Sequence, residues 1–272
     1  MARDWRWQGW PYTGPMRATG GWNWPNGREL LAVVPAYNEA GRIAAVIAGL
    51  RQLPLPVLVV DDGSRDGTAD QAAAAGALVH RQVNGGKGKA ILAGCRWAVA
   101  NGYQAVLLID GDGQHDPREA SGLIGAWRHG AELVIGSRTR CTRQQPTHRK
   151  CLNRLSSLLV TLAAGQRIID SQSGFRLCDP RLLLRLPFSG CRYDLETEMC
   201  VLAARAGHRV IETPITAIYN DKKSGVHPVY DTVRFFRAVL RSMIAAPRAE
   251  RARDAAVRPL APALGLVEAS AA

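Results

Sequence analysis

The sequence predicts an α/β fold: a mostly parallel, doubly wound sheet with helices on both faces. Three observations carry that prediction. Apolar runs such as LLAVVPAY (30–37) and VLVVDD (57–62) are continuous rather than alternating, as expected of strands covered on both faces. Segments of helical period lie between them, so strand and helix alternate along the chain. Polar stretches, all but the first with glycine, follow the first, second, fourth and fifth strands: PAYNE, DDGSRDGT, DGDGQHD and GSR. In open α/β sheets the ligand lies beyond the carboxyl ends of the strands, so these loops mark one sheet edge as the candidate site.

Taken in order, the first strand (30–37) leads into a helix near 39–51. After the second strand (57–62), TADQ at 68–71 reads as a capping box opening a helix over 67–75. ALVHRQ (77–82) is the third strand, and NGGKGKA leads into a helix over 87–101. AVLLID (105–110) and ELVIGSR (132–138) are the next strands, separated by a helix over 117–128. A helix over 147–164, a short strand SGFRL (173–177), a helix over 194–206 and a strand RVIETPI (209–215) follow. The domain is read as 29–247. Before it, residues 1–28 form an extension with five of the seven tryptophans (Trp5, Trp7, Trp10, Trp22, Trp24). These favour a bilayer interface or a strap over the domain. After about Arg248 the tail, 248–272, is rich in Ala, Pro and Arg and reads as disordered.

A chain of 272 residues with net charge +12 and pI near 10.0 buries a large core and favours a phosphate-rich partner. Residues 1–28 lack an apolar signal-peptide core. Runs such as LSSLLVTLAAG (155–165) reach about half of the ~20 residues that cross a membrane. A soluble or peripheral protein is expected, placed in the cytoplasm and on the cytoplasmic face of the membrane. Six cysteines, at 95, 141, 151, 178, 191 and 200, show no C-x-x-C pair; they read as reduced structural thiols.

The stretch LLIDGDGQHDP (107–117) runs from aliphatic residues straight into oxygen-bearing side chains separated by glycines. If the segment past the strand is extended, Asp110, Asp112 and Gln114 share one side and aim oxygens at one point. Gly111 and its neighbours let a ligand approach the backbone. Few, hard oxygen donors suit Mg²⁺ or Mn²⁺ bound together with phosphates. The competing reading is a solvated turn. An EF-hand is excluded, because counting from Asp110 places His115 and Ser121 at positions six and twelve, and counting from Asp62 places Ala73 at twelve. NGGKGKA is no Walker A loop, and PAYNEAGR is no G-x-G-x-x-G.

PAYNEAGRI, VVDDGSRDGTAD, NGGKGKAI, IDGDGQHDP, GSR and SGFRL, in this order and spacing, resemble the family-2 glycosyltransferases of the dolichyl-phosphate mannosyltransferase type. The resemblance spans roughly residues 30–245 and implies a GT-A fold, a nucleotide-sugar donor, a divalent metal and a polyprenyl phosphate acceptor. It implies that Pro35, Tyr37, Glu39, Val60 and Asp62 contact the nucleotide. Asp110, Gly111, Asp112 and Gln114 match the metal and diphosphate site. Arg138 matches an arginine at the phosphates, Arg149 one at the acceptor phosphate, and Lys223 a late lysine on the donor phosphates. Two positions depart from the pattern: Ala217 stands where an arginine is common, and Asn153 where a serine is.

The residues point the same way. From Leu133 to Ile169 there are seven Arg or Lys (138, 140, 143, 149, 150, 154, 167) and no Asp or Glu, either a solvated face or a seat for a second phosphate. Arg149, Asn153, Ser173 and Gly174 are the acceptor-side candidates. A phosphate monoester is already anionic near neutral pH and needs no dedicated base, so direct displacement with inversion is expected, with Asp112, Arg138 and Arg149 as its catalytic residues. Asp116, His115, Glu196 and Glu198 are acid/base candidates for a hydroxyl acceptor. Over 228–244, Val229, Val233, Phe236, Leu240 and Met243 share a helical face opposite Arg234, Arg237 and Arg241. That is either an interfacial helix on an anionic membrane or one packed on the core. A D-x-D phosphatase would carry Thr or Val at Gln114, with its D-x-D on the first strand. A nucleic-acid partner is not expected, since the binding edge is acidic and no nucleic-acid motif appears.

Overall fold

The strands are β1 (Leu30–Ala36), β2 (Val57–Asp61), β3 (Leu78–Arg81), β4 (Ala105–Leu108), β5 (Leu133–Ser137), β6 (Arg176–Cys178) and β7 (Val210–Pro214), of which β1 and β4 carry only apolar side chains. The computed structural model describes residues 29–138, 147–188, 195–216, 218 and 228–245, with the helix path alone over 147–154 and 228–234. The strands make one sheet in the order β3-β2-β1-β4-β6-β5-β7. β6 runs antiparallel between β4 and β5, and the other pairings are parallel.

Between the strands lie α1 (Ile43–Leu50), α2 (Thr68–Ala74), α3 (Lys87–Ala100), α4 (Ala120–Arg128, after a 3-10 turn Pro117–Glu119), α5 (Thr147–Ala164), α6 (Pro180–Arg185), α7 (Leu195–Arg205) and α8 (Pro228–Ala245). The two faces of the sheet carry two cores, and β1 feeds both. Leu31 and Val33 join Leu58, Val60, Leu108 and α3; Leu30, Ala32 and Val34 join Val57, Val59, Leu107 and α1. Double coverage is why these strands show no polar alternation. On one side α3 lies so close that a Cβ on Gly94 would sit 2.4 Å from Val33 Cγ1.

Several boundaries differ from the sequence expectation for identifiable reasons. α1 begins at Ile43 rather than 39, because Asn38 takes a left-handed φ of 54° and the Glu39 carbonyl turns the chain by accepting from Arg42 N and Ile43 N at 2.9 Å. The capping box does not form. Gly67, with φ 83°, is the N-cap of α2, and the Thr68 hydroxyl instead accepts from Glu39 N at 2.8 Å. Of SGFRL only Arg176 and Leu177 join a strand. Helix α6 was not expected; Asp179 caps it by accepting from Arg181 N, with Pro180 at its first position. The extension 1–28, the tail 248–272, Ala217 and Lys223 lie outside the described residues.

Candidate active site

The loops after β1 and β2 are sewn together at the carboxyl ends of the strands. Pro35 and Val60 are register partners within the sheet, which sets the two loops level. Asn38 N donates to Ser64 Oγ at 2.9 Å, and Arg65 N donates back to Asn38 Oδ1 at 3.0 Å. Ala40 N reaches Asp66 Oδ2 at 3.1 Å. Glu39 is buried, whereas Tyr37 is 49 % exposed over this junction. Asp62 anchors the next loop: its Oδ1 accepts from Gln82 Nε2 (2.7 Å) and Gly85 N (2.9 Å), its Oδ2 from Gly86 N (2.8 Å). The NGGKGKA stretch is therefore held against the end of β2 by backbone N–H groups on a carboxylate.

The acidic stretch turns rather than extends. Gly113 takes φ 75°, and Gln114 N donates to Asp112 Oδ1 at 3.1 Å, closing an Asx turn. The expectation of an extended segment is thus corrected, because a left-handed glycine reverses the chain one residue after Asp112. Among the described residues no three His, Cys, Asp or Glu side chains converge as a prebuilt metal cluster. Asp112 and Gln114 still supply a carboxylate and an amide oxygen from one turn, and few hard donors completed by phosphate oxygens suit Mg²⁺ or Mn²⁺. The donor set fits such an ion.

Asp110, at the end of this strand, meets Lys87 from the first turn of α3. Lys87 Nζ lies 2.6 Å from Asp110 Oδ1 and 2.7 Å from Glu196 Oε1. Burial opposes charge on all sides here, yet the two carboxylates hold the Lys87 ammonium above its ordinary range, and Lys87 with His115 holds Asp110 below its own. Gly174 packs directly on Asp110; a Cβ there would fall 2.4 Å from Oδ2. His115 is buried against Phe175, and burial lowers its pKa. Asp116 caps the 3-10 turn and pairs with Arg118. Glu198 is buried in α7.

Arg138, just past β5, forms a forked pair with Asp170: Nε to Oδ2 at 2.7 Å and Nη2 to Oδ1 at 2.8 Å, with its own N on Oδ2 at 3.0 Å. Burial would raise the Asp170 pKa, but these bonds bring it below the usual carboxylate range. A depressed acid contributes stability above its unfolded pKa and loses it as pH falls through the folded value. Asp170→Asn is therefore expected to cost about 2 kcal/mol at pH 7. That deficit should shrink as pH drops below about 4, which thermal melts across pH would read. Arg149 and Asn153 fall in the first two turns of α5, and their side chains lie outside the description.

Arg176 is the residue that sequence reasoning missed. It is fully buried and donates to three carbonyls: Ser173 O (2.8 Å), Glu196 O (2.7 Å) and Ser171 O (2.7 Å). It holds the 171–174 loop against the start of α7, and so sets Gly174 against Asp110. Ser173 is buried in that loop, its hydroxyl accepting from Phe175 N at 3.3 Å. Ile218 N donates to Gln114 O at 3.0 Å, so the chain at Ile218 lies beside the acidic turn.

Residues 31–189 match the model of the family described as Glycosyl transferase family 2. The chain is 33% identical over 204 residues to an undecaprenyl-phosphate mannosyltransferase of Micrococcus luteus, covering 70% of this chain and 84% of that one. It is 32% identical over 214 residues to a polyprenol monophosphomannose synthase of Mycolicibacterium smegmatis, covering 73% and 80%. Glucosyl-3-phosphoglycerate synthase of Mycobacterium tuberculosis, solved with Mn²⁺, uridine diphosphate and phosphoglyceric acid, superposes with a TM-score of 0.63 at 23% identity over 81% of this chain and 79% of that one. Order of strands, acidic turn and family model agree: the chain is a glycosyltransferase with the GT-A fold and belongs to glycosyltransferase family 2.

Proposed function

We propose that this glycosyltransferase moves a hexose, with inversion, from GDP-mannose or a UDP-hexose to a polyprenyl phosphate at a membrane surface, through the domain at 29–247. The observation that carries the reading is the Asp112–Gln114 turn just past β4, with Asp112, the Asp110–Lys87 pair and Arg138 all charged neighbours of the buried His115. The names of the two bacterial relatives, both lipid-phosphate mannose enzymes, support the acceptor.

In this reading the loop of Pro35, Tyr37 and Glu39 and the end of β2 at Val60 and Asp62 receive the nucleoside. Asp112 and Gln114, beside Asp110, would hold Mg²⁺ or Mn²⁺, which supplies neutralisation of the departing diphosphate charge. Arg138, fixed in orientation by its fork on Asp170, presents its charge to phosphate rather than swinging in solvent. Lys223, by its sequence position a late lysine, is assigned to the same donor phosphates. Arg149 and Asn153, on the opening turns of α5, orient the acceptor phosphate, and Ser173 with Gly174 borders the sugar. The acceptor oxygen is already ionised, so the protein positions it and excludes water.

The surface agrees with a membrane partner. α8 packs on α5 and α7 through Phe235, Ala238, Val239 and Ser242, while Phe236, Leu240 (60 %) and Ile244 (78 %) remain exposed beside Arg237 and Arg241. Leu158 and Leu162 (70 %) of the neighbouring α5 are exposed as well. The face that seats on the core is thus not the one grouped from the sequence, since Phe236, Leu240 and Met243 of that face stay exposed. No helix among the described residues is long and apolar enough to cross a membrane. Leu240→Ser with Phe236→Ser is expected to weaken flotation with anionic vesicles about 10-fold or more; unchanged flotation would count against this surface.

The test of the reaction is transfer of radiolabel from GDP-mannose, UDP-glucose or UDP-N-acetylglucosamine to polyprenyl phosphate, with Mn²⁺ or with EDTA. Metal-dependent label in the organic phase from one donor is the expected result. Label appearing only on a hydroxyl acceptor would move the chain to a different acceptor class.

A further inference from the structure

We propose that Lys87 is a resident cation: its ammonium fills the place between Asp110 and Glu196 that a metal ion would otherwise take. The divalent ion is thereby left to Asp112, Gln114 and the donor's phosphates, so the inference rests on the reading that this turn takes the metal.

The geometry is that of a bridged carboxylate pair, with Nζ 2.6 Å from one acid and 2.7 Å from the other. Three separate elements meet at it: the start of α3, the end of β4 and the start of α7. Glu196 is 4 % exposed, and its Oε2 has no hydrogen-bond partner among the described residues. On its other oxygen this buried carboxylate is held by the lysine. Lys87 is also the first residue of α3, where the helix dipole disfavours a positive charge. Helix formation does not call for a lysine there; the two acids do. Gly174 closes on the other oxygen of Asp110, so the carboxylate stays turned toward the ammonium.

Charge counting gives the consequence. Two carboxylates and one ammonium leave the trio at −1. A tethered ammonium keeps a free cation off this pair, and the apo site then gains its divalent ion chiefly when a diphosphate arrives to share it. Lys87 and Glu196 are positioning residues in this sense: they act on the metal and on Asp110 rather than on the sugar.

The experiment is Mn²⁺ titration of the full chain without nucleotide, reading free Mn²⁺ by electron paramagnetic resonance, with thermal melting as the control of folding. Lys87→Met takes the trio to −2 and is expected to bind Mn²⁺ at least about 10-fold tighter. Glu196→Gln takes it to zero and is expected to bind several-fold weaker. The double variant restores −1 and returns to the parent's affinity. A lesion in packing alone would weaken binding in every variant, so the opposite signs separate charge from structure. Should Lys87→Met fail to fold, the weakened Glu196→Gln and the restored double variant carry the test. A flat or uniformly weakened series in folded protein overturns the proposal. Because no sugar transfer is measured, a parent that lacks transferase activity but shows this order would remove the proposed reaction and leave the resident cation standing.

Discussion

Asp112→Ala lowers the turnover of sugar transfer by about 100- to 1,000-fold or more, the size of effect expected when a group opposing transition-state charge is removed. Its melting temperature should move by only about 2 °C, because the side chain is half-buried and sits in a loop. The informative companion is Asp112→Asn. An asparagine keeps an oxygen to accept from Gln114 N, so the Asx turn survives; what it loses is the charge. If the carboxylate acts on a cation and the diphosphate behind it, Asn is nearly as inactive as Ala. If the turn were all that mattered, Asn would restore most of the rate.

Arg176→Met is expected to cost about 3–5 kcal/mol and lower the melting temperature by roughly 10 °C. The reason lies in what remains when the guanidinium goes. Three carbonyls, at Ser171, Ser173 and Glu196, lose their donor in a site without water-facing surface. Arg176→Lys helps little, since one ammonium on a flexible stem does not span acceptors set out for a planar fork. The damage reaches the chemistry as well. The loop freed from Arg176 is the one that sets Gly174 on Asp110, so at temperatures where the variant is folded its donor KM should rise. A variant that melts like the parent would show that the three bonds are dispensable.

The sheet was legible because double coverage leaves a simple mark: β1, β2, β4 and β5 are buried throughout and apolar but for Asp61 and Ser137 at their ends, and each is followed by the loop it delivers. The site's location followed from the same rule. What the sequence hid were features whose cause lies elsewhere in the chain. SGFRL reads as a strand, yet its first three residues form a loop, in which Arg176 bonds the carbonyl of Ser173 and that of Ser171 just before it. A buried arginine looks in sequence like a surface one. The acidic stretch looked extended because period-two spacing suggests it, but the left-handed Gly113 decides the local path. Lys87 drew notice only within the NGGKGKA stretch, which fails the Walker pattern and shares in the family resemblance, and Glu196 only as an acid/base candidate. Their pairing, across 109 residues of chain, has no local signal. Helix α6 did carry one, the Asp179–Pro180 start, in a segment too short to show helical period.

The acceptor we propose is a lipid phosphate, already ionised and in need of placement rather than of a base. The measurement that tests it most directly compares polyprenyl phosphate with the matching polyprenol under identical donor and Mn²⁺, counting label in the lipid phase. The account predicts label on the phosphate alone, in a product whose anomeric configuration is opposite to the donor's. Equal label on the alcohol, or label retained with the donor's configuration, would contradict it.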